Sequence, residues 1–233
     1  MTFRDRLLGT LRQLRPVLEE PGVLVVGSEV PNLLQPDAAS TLVVSQDVDL
    51  AIPVDRVDAV KARLRSVEGL VPSPEEPSVY VPRSDTLIEA NFLGLDPAIQ
   101  DASQTYVLED PDLPLMVFGP LGLLRPGRIL QLHDLRLPLP RVGDLMAEKL
   151  LTDRTGEKGA RDLLVVAGLL VTATAEELDE FVARARSLPG ASRQAIRSSL
   201  TVLSLIEAHH GMPDPAPVRE QVRQLLARLG DDV

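Results

Sequence analysis

The sequence predicts an α+β protein in two parts, a mixed β-sheet with flanking helices over residues 1–140 and a helical bundle over 141–233. Three observations lead there. Short, β-branched apolar runs alternate with helical stretches in the first part. The segment between Asp110 and Pro140 is rich in proline and glycine, cannot hold a long helix, and reads as the passage between the parts. From Gly143 onward the apolar residues recur at helical spacing.

Taken in order, Arg4 to Glu19 reads as one amphipathic helix with Leu7, Leu8, Leu11, Leu14 and Leu18 on a stripe, ended by Gly22. Val23 to Val26 is a continuous β-branched run, hence a buried strand, and it stops at Gly27-Ser28. Glu29 to Gln35 suits a short helix, since Pro31 is tolerated in a first turn. Thr41–Val44 and Val48–Ile52 bracket a second strand region, and a helix follows over Arg56–Val67 until Gly69. After a proline-rich loop, Val79–Val81 and Thr86–Leu93 read as strands, with Arg136–Leu139 as an edge strand. In the second part, Asp144 is expected to cap a helix over Leu145–Arg154, and Lys158–Leu170 forms the next. Thr174 with Glu177 forms a capping box opening a helix to Ser187, and two further helices cover Ser192–His209 and Pro217–Leu229.

At 233 residues the chain is long enough to bury a real core, and with 3% aromatics and no Trp that core must be Leu, Val, Ile and Ala. The absence of cysteine excludes disulfides and thiolate metal sites. No apolar run approaches the ~18 residues of a membrane span, and Met1–Arg6 has no apolar segment behind it. The expectation is a cytoplasmic protein without a membrane partner. A net charge of −10 argues against a general nucleic-acid coat, though not against one local basic face.

The chemistry is concentrated at Gly27-Ser28 and Asp47-Val48-Asp49. Two carboxylates at i and i+2 on a strand share a face, while Val48 and Leu50 turn into the core. Mg²⁺ and Mn²⁺ prefer such hard oxygen ligands. Glu89, a lone acid in the apolar stretch Leu87–Phe92, is the candidate third carboxylate, with Asp85 and Asp96 as alternatives. A glycine at a strand end allows close approach of a phosphate, and the Ser28 hydroxyl and following N–H groups suit its oxygens.

A strand ending in Gly-Ser, a short helix and then Asp-x-Asp on the next strand resembles the signature of the polymerase-β-like nucleotidyltransferase superfamily. The spacing from Ser28 to Asp47 is similar to the branch holding abortive-infection toxin–antitoxin nucleotidyltransferases. So is the segment containing Lys149, Arg154, Lys158, Arg161 and Asp162. The resemblance covers about residues 20–170. It implies a nucleotidyltransferase fold, and a Mg²⁺- or Mn²⁺-dependent transfer of NMP from an NTP such as ATP to a hydroxyl on tRNA, protein or a small molecule. By the same resemblance, Asp47, Asp49 and Glu89 would be catalytic and metal-binding. Gly27, Ser28, Lys149, Lys158 and Asp162 would serve nucleotide binding, Asp162 by orienting a lysine or acting on the acceptor, in a cleft between the two parts. A non-catalytic binding protein that kept the fold and an antibiotic-modifying nucleotidyltransferase are the alternatives. The sequence departs from the pattern in having Glu at the third acid and Glu29 directly after Ser28. Read without the resemblance, Lys149, Arg154, Lys158 and Arg161 are equally a solvated helix face, while Arg184, Arg186, Arg193 and Arg197 are expected to be solvent-exposed, with contact to an RNA acceptor as the alternative.

Overall fold

The structure is a computed structural model that describes residues 2–35, 47–99, 101–152, 157–207 and 214–230, with residues 157 and 158 described by their backbone alone. The expected strand segment Thr41–Val44 lies outside the described residues, as do Arg154, His209 and His210. Described residues of Met1–Glu29 and Ser45–Pro140 form one compact unit, and those of Val30–Val44 and Arg141–Val233 a second. No described helix is long and apolar enough to cross a membrane.

The first unit begins with two helices, α1 (Phe3–Gln13) and α2 (Arg15–Leu18), rather than the single one expected. Pro16 is the reason: its ring lacks the N–H that would continue the ladder, and it opens α2 instead. Thr2 and Asp5 form a capping box at the start of α1. Leu7, Leu11, Leu14 and Val17 remain buried across the break. Strand β1 (Leu24–Val26) and strand β2 (Asp47–Pro53) follow, β2 leading through a 3₁₀ turn into α4 (Val57–Leu64), whereas the short helix α3 (Glu29–Leu34) belongs from Val30 onward to the second unit. Strands β3 (Leu70–Pro72), β4 (Val79–Pro82), β5 (Glu89–Leu95), β6 (Thr105–Leu108) and β7 (Leu115–Phe118) complete a seven-stranded mixed sheet.

Its order is β1-β2-β5-β4-β3, with β7 joined to β5 and β6 to β7. Among the described strands of this sheet, β2–β5 and β5–β7 run parallel and the other pairs antiparallel. Strand β5 is the centre. Its whole length lies against β2, while β4 takes the first half of its other edge and β7 the second half. Val48, Leu50, Ile52, Ala90 and Phe92 are buried on one face, where Tyr80 meets Phe92 edge-on with ring centroids 5.1 Å apart.

The proline-rich stretch is a correction to the expected passage between parts. It supplies β7 and a hairpin of β8 (Pro126–Leu132) and β9 (Leu135–Pro140), all within the first unit. Its prolines are tolerated because a two-stranded hairpin consists only of edges, where a missing N–H need not break a ladder bond. His133, with φ 52°, forms its turn with Asp134, which Arg12 and Arg15 both bond.

The second unit contains α5 (Val142–Leu151), α6 (Glu157–Thr172), α7 (Ala175–Ser187), α8 (Gly190–Leu203) and α9 (Ala216–Gly230). The expected capping box at Thr174 is present, with Thr174 and Glu177 bonding each other's backbone N–H. Asp144 is not the cap of α5; that position is Arg141, and Asp144 lies buried in the first turn. Helix α5 touches α6, α7 and α8, and Val142 through Leu150 are all buried. A backbone approach at Gly143, where a Cβ would lie 2.9 Å from the Phe181 nitrogen, lets α7 pack closely. Of the late arginines, Arg186 and Arg193 are exposed as expected, and Arg184 and Arg197 are half-buried. Arg186 and Arg197 donate to the Arg228 and Leu229 carbonyls at the end of α9, satisfying acceptors that a helix leaves open.

Candidate active site

The face of the sheet opposite the apolar core carries the polar residues at the start of β2 and β5. Parallel register pairs Asp47 with Glu89 and Asp49 with Asn91, so these four side chains rise from one face as a quadrilateral. Neither alternative third acid shares this arrangement. Asp85 precedes β5 and is exposed, and Asp96 lies past the other end of β5, accepting a 2.8 Å bond from Tyr106.

The start of β5 is fixed from α1 by a residue that sequence reasoning missed. The buried Thr10 hydroxyl receives the Ile88 N–H at 2.8 Å and donates to the Ile88 carbonyl at 3.3 Å. One side chain thus satisfies both backbone groups of the residue before Glu89, which has no ladder partner there. The sequence signal was a hydroxyl on the apolar stripe of α1.

Gly27 closes the end of β1, whose Val26 is the register partner of Asp49. Its φ of 83° lies in the region L-residues with side chains avoid, and a Cβ there would overlap the Asp49 carboxylate. The glycine therefore serves the acid pair as well as the turn. Replacing it with Ala is expected to lower the unfolding free energy by about 1–3 kcal/mol from backbone strain alone. Gly22→Ala, at φ 85°, shares that strain against Pro53 instead. Chemical denaturation compares the two, and Mn²⁺ titration should weaken only for Gly27→Ala; equal weakening would show that Gly27 has no special relation to Asp49.

Asn91 bridges the pair. Its Nδ2 donates to Asp47 Oδ2 at 2.8 Å and to Asp49 Oδ1 at 3.1 Å. Burial holds the Glu89 carboxyl above the usual range, helped by the negative charges of Asp47 and Glu76. Ser28 is partly exposed at the turn, and Glu29 is buried, 1% exposed, and engaged in an interaction of its own.

Whether these residues suit a divalent cation depends on the acid pair. Two carboxylates on one face, one of them packed against a glycine that has no Cβ to displace it, fit Mg²⁺ or Mn²⁺, which is often held by one or two carboxylates plus water and substrate phosphate. Among the described residues, no three acids or histidines stand together as a ready-made cation group; Glu89 shares the face of the acid pair.

Lys149 and Asp162 lie in the second unit. Lys149 Nζ stands 3.4 Å from Glu148 Oε2 and 3.3 Å from Asp162 Oδ1, all three residues being buried. Thr152 donates to Glu148 Oε1 at 3.2 Å, and Arg184 approaches the buried Asp144 at 3.9 Å. Lys149 is therefore no solvated-face residue. Lys158 falls in the first turn of α6, and its side chain lies outside the described residues. Arg161 is exposed. No family model matches the chain, and no curated protein matches it.

Proposed function

We propose that the first unit is a nucleotidyltransferase fold that moves an NMP from an NTP to a hydroxyl acceptor with Mg²⁺ or Mn²⁺. What supports the reading most is one juxtaposition: the left-handed Gly27 turn has its missing Cβ against the Asp49 carboxylate, at the end of a strand paired with the Asp-x-Asp strand. Turn and acid pair are thus one construction rather than two coincident motifs.

A divalent cation, when bound, would neutralise triphosphate charge and orient the phosphates. Asp47 and Asp49 would hold it, and Ser28 would donate to a phosphate oxygen beside the turn. The acceptor oxygen attacks the α-phosphorus, a new O–P bond forms, the bond to the bridging oxygen breaks, and pyrophosphate leaves. Glu89 takes the acceptor's proton. A carboxylate held above its ordinary pKa by burial is a better base when ionised, and such a group is worth about 10²–10⁴-fold in rate.

The acceptor class is read directly by incubating the protein with each α-³²P-labelled NTP, a divalent cation, and total RNA, lysate protein or aminoglycoside-type polyols. The expected result is label on one class. If no class acquires label with any NTP under either cation, the reading fails.

A further inference from the structure

We infer that Asn91 is a positioning residue for the acid pair, holding Asp47 and Asp49 turned toward a common point for a divalent cation; this rests on the nucleotidyl-transfer reading of that pair. Asp47 and Asp49 are like charges two residues apart on one strand, and Asn91 on the neighbouring strand reaches both with the two hydrogens of a single amide nitrogen, at 2.8 and 3.1 Å. Register makes this possible, because Asn91 is the lateral partner of Asp49 and lies diagonal to Asp47.

The orientation of that amide is imposed by charge. Turned over, its carbonyl oxygen would face two carboxylates; as it stands, both N–H groups do. The consequence is visible on the other side of the group: Oδ1 is buried and accepts no hydrogen bond from a described residue. Buried polar atoms are ordinarily satisfied, so an amide whose carbonyl has no partner among the described residues while its nitrogen serves two charges is held there by those charges. Carboxylates that ligate a metal are themselves held by hydrogen bonds from such outer partners, and losing one costs about 10–100-fold in metal affinity. Glu89, the neighbour of Asn91 on the same face, has no donor to offer when ionised and does not substitute for it.

The test is Mn²⁺ binding, followed by electron paramagnetic resonance, and thermal melting with and without Mn²⁺, for the wild-type chain, Asn91→Ala, Asn91→Asp and Asp47→Ala. Asn91→Ala is expected to bind Mn²⁺ about 10–100-fold more weakly. Asn91→Asp, which has the same shape but replaces the donors with a charge, is expected to melt below wild type in cation-free buffer and to recover when Mn²⁺ is added. Wild-type affinity in Asn91→Ala overturns the inference. Should Asn91→Ala fail to fold, a melting deficit in Asn91→Asp that Mn²⁺ leaves unchanged overturns it equally. If Asp47→Ala loses Mn²⁺ while Asn91→Ala keeps it, only the role of Asn91 falls; if wild type and Asp47→Ala bind alike, the acid-pair reading falls with it.

Discussion

Asp49→Asn is expected to lower the rate of NMP transfer by about 10³-fold, since Lewis-acid stabilisation of transition-state charge is worth several kcal/mol and each 1.36 kcal/mol is about tenfold. The same change should leave the fold in place. Asp49 lies on the polar face of β2, its neighbours Val48 and Leu50 fill the core, and Asn keeps its volume. Circular dichroism should therefore match the wild type while turnover collapses. Asp47→Asn should behave in the same way, and the double variant should lose little more than either single one, because residues that act as a unit are not additive. A double variant whose loss is the product of the two single losses would show that the carboxylates act separately.

The largest expected stability effect is in the second unit. Lys149→Met removes the cation that sits between the buried Glu148 and Asp162, leaving two carboxylates without their shared partner. Breaking a buried pair from one side costs about 3–5 kcal/mol, because the remaining charge is stranded in a low-dielectric interior. For a chain of this length that corresponds to a fall of roughly 10 °C in melting temperature, at about 2–4 °C per kcal/mol. Combining Lys149→Met with Asp162→Asn should restore part of the loss, since it removes one of the two carboxylates that faced Lys149. A single-variant loss below about 1 kcal/mol, the level of an exposed pair, would contradict the buried geometry.

The legible parts of the fold were those with a clean period. The alternation Asp47-Val48-Asp49-Leu50 placed two acids out and two apolar residues in, and Thr174 with Glu177 announced the start of α7; the structure has both. Strands β3, β6 and β7 have three or four residues, too few for a period to emerge above their proline-rich surroundings. The lone-helix reading of Arg4–Glu19 followed the leucine stripe and passed over Pro16, although the stripe continues across the break.

The candidate site was half legible for a related reason. Asp47 and Asp49 are local to one strand. Glu89 and Asn91 reach them only through a parallel pairing across some forty residues, and that register is a tertiary fact. Asn91 had a signal nonetheless: the i, i+2 rule that singled out Asp49 from Asp47, applied to Glu89, gives Asn91. Lys149 was harder, because a charged residue on a helix reads as solvated by default. The counter-signal was the run Val142-Gly-Asp-Leu-Met-Ala-Glu-Lys-Leu-Leu, in which apolar residues fall on every side, as they do in a helix buried all round.

The central claim is that Asp47 and Asp49 support transfer of a nucleotide, and the position of the label tests it most directly. Reactions run in parallel with α-³²P- and γ-³²P-labelled NTP, for wild type and Asp47→Asn/Asp49→Asn, should give acceptor labelled from the α-position only. An equal amount of pyrophosphate should be released, and the double variant should give neither. Label arriving from the γ-position, or α-label transferred equally well by the double variant, would contradict the account.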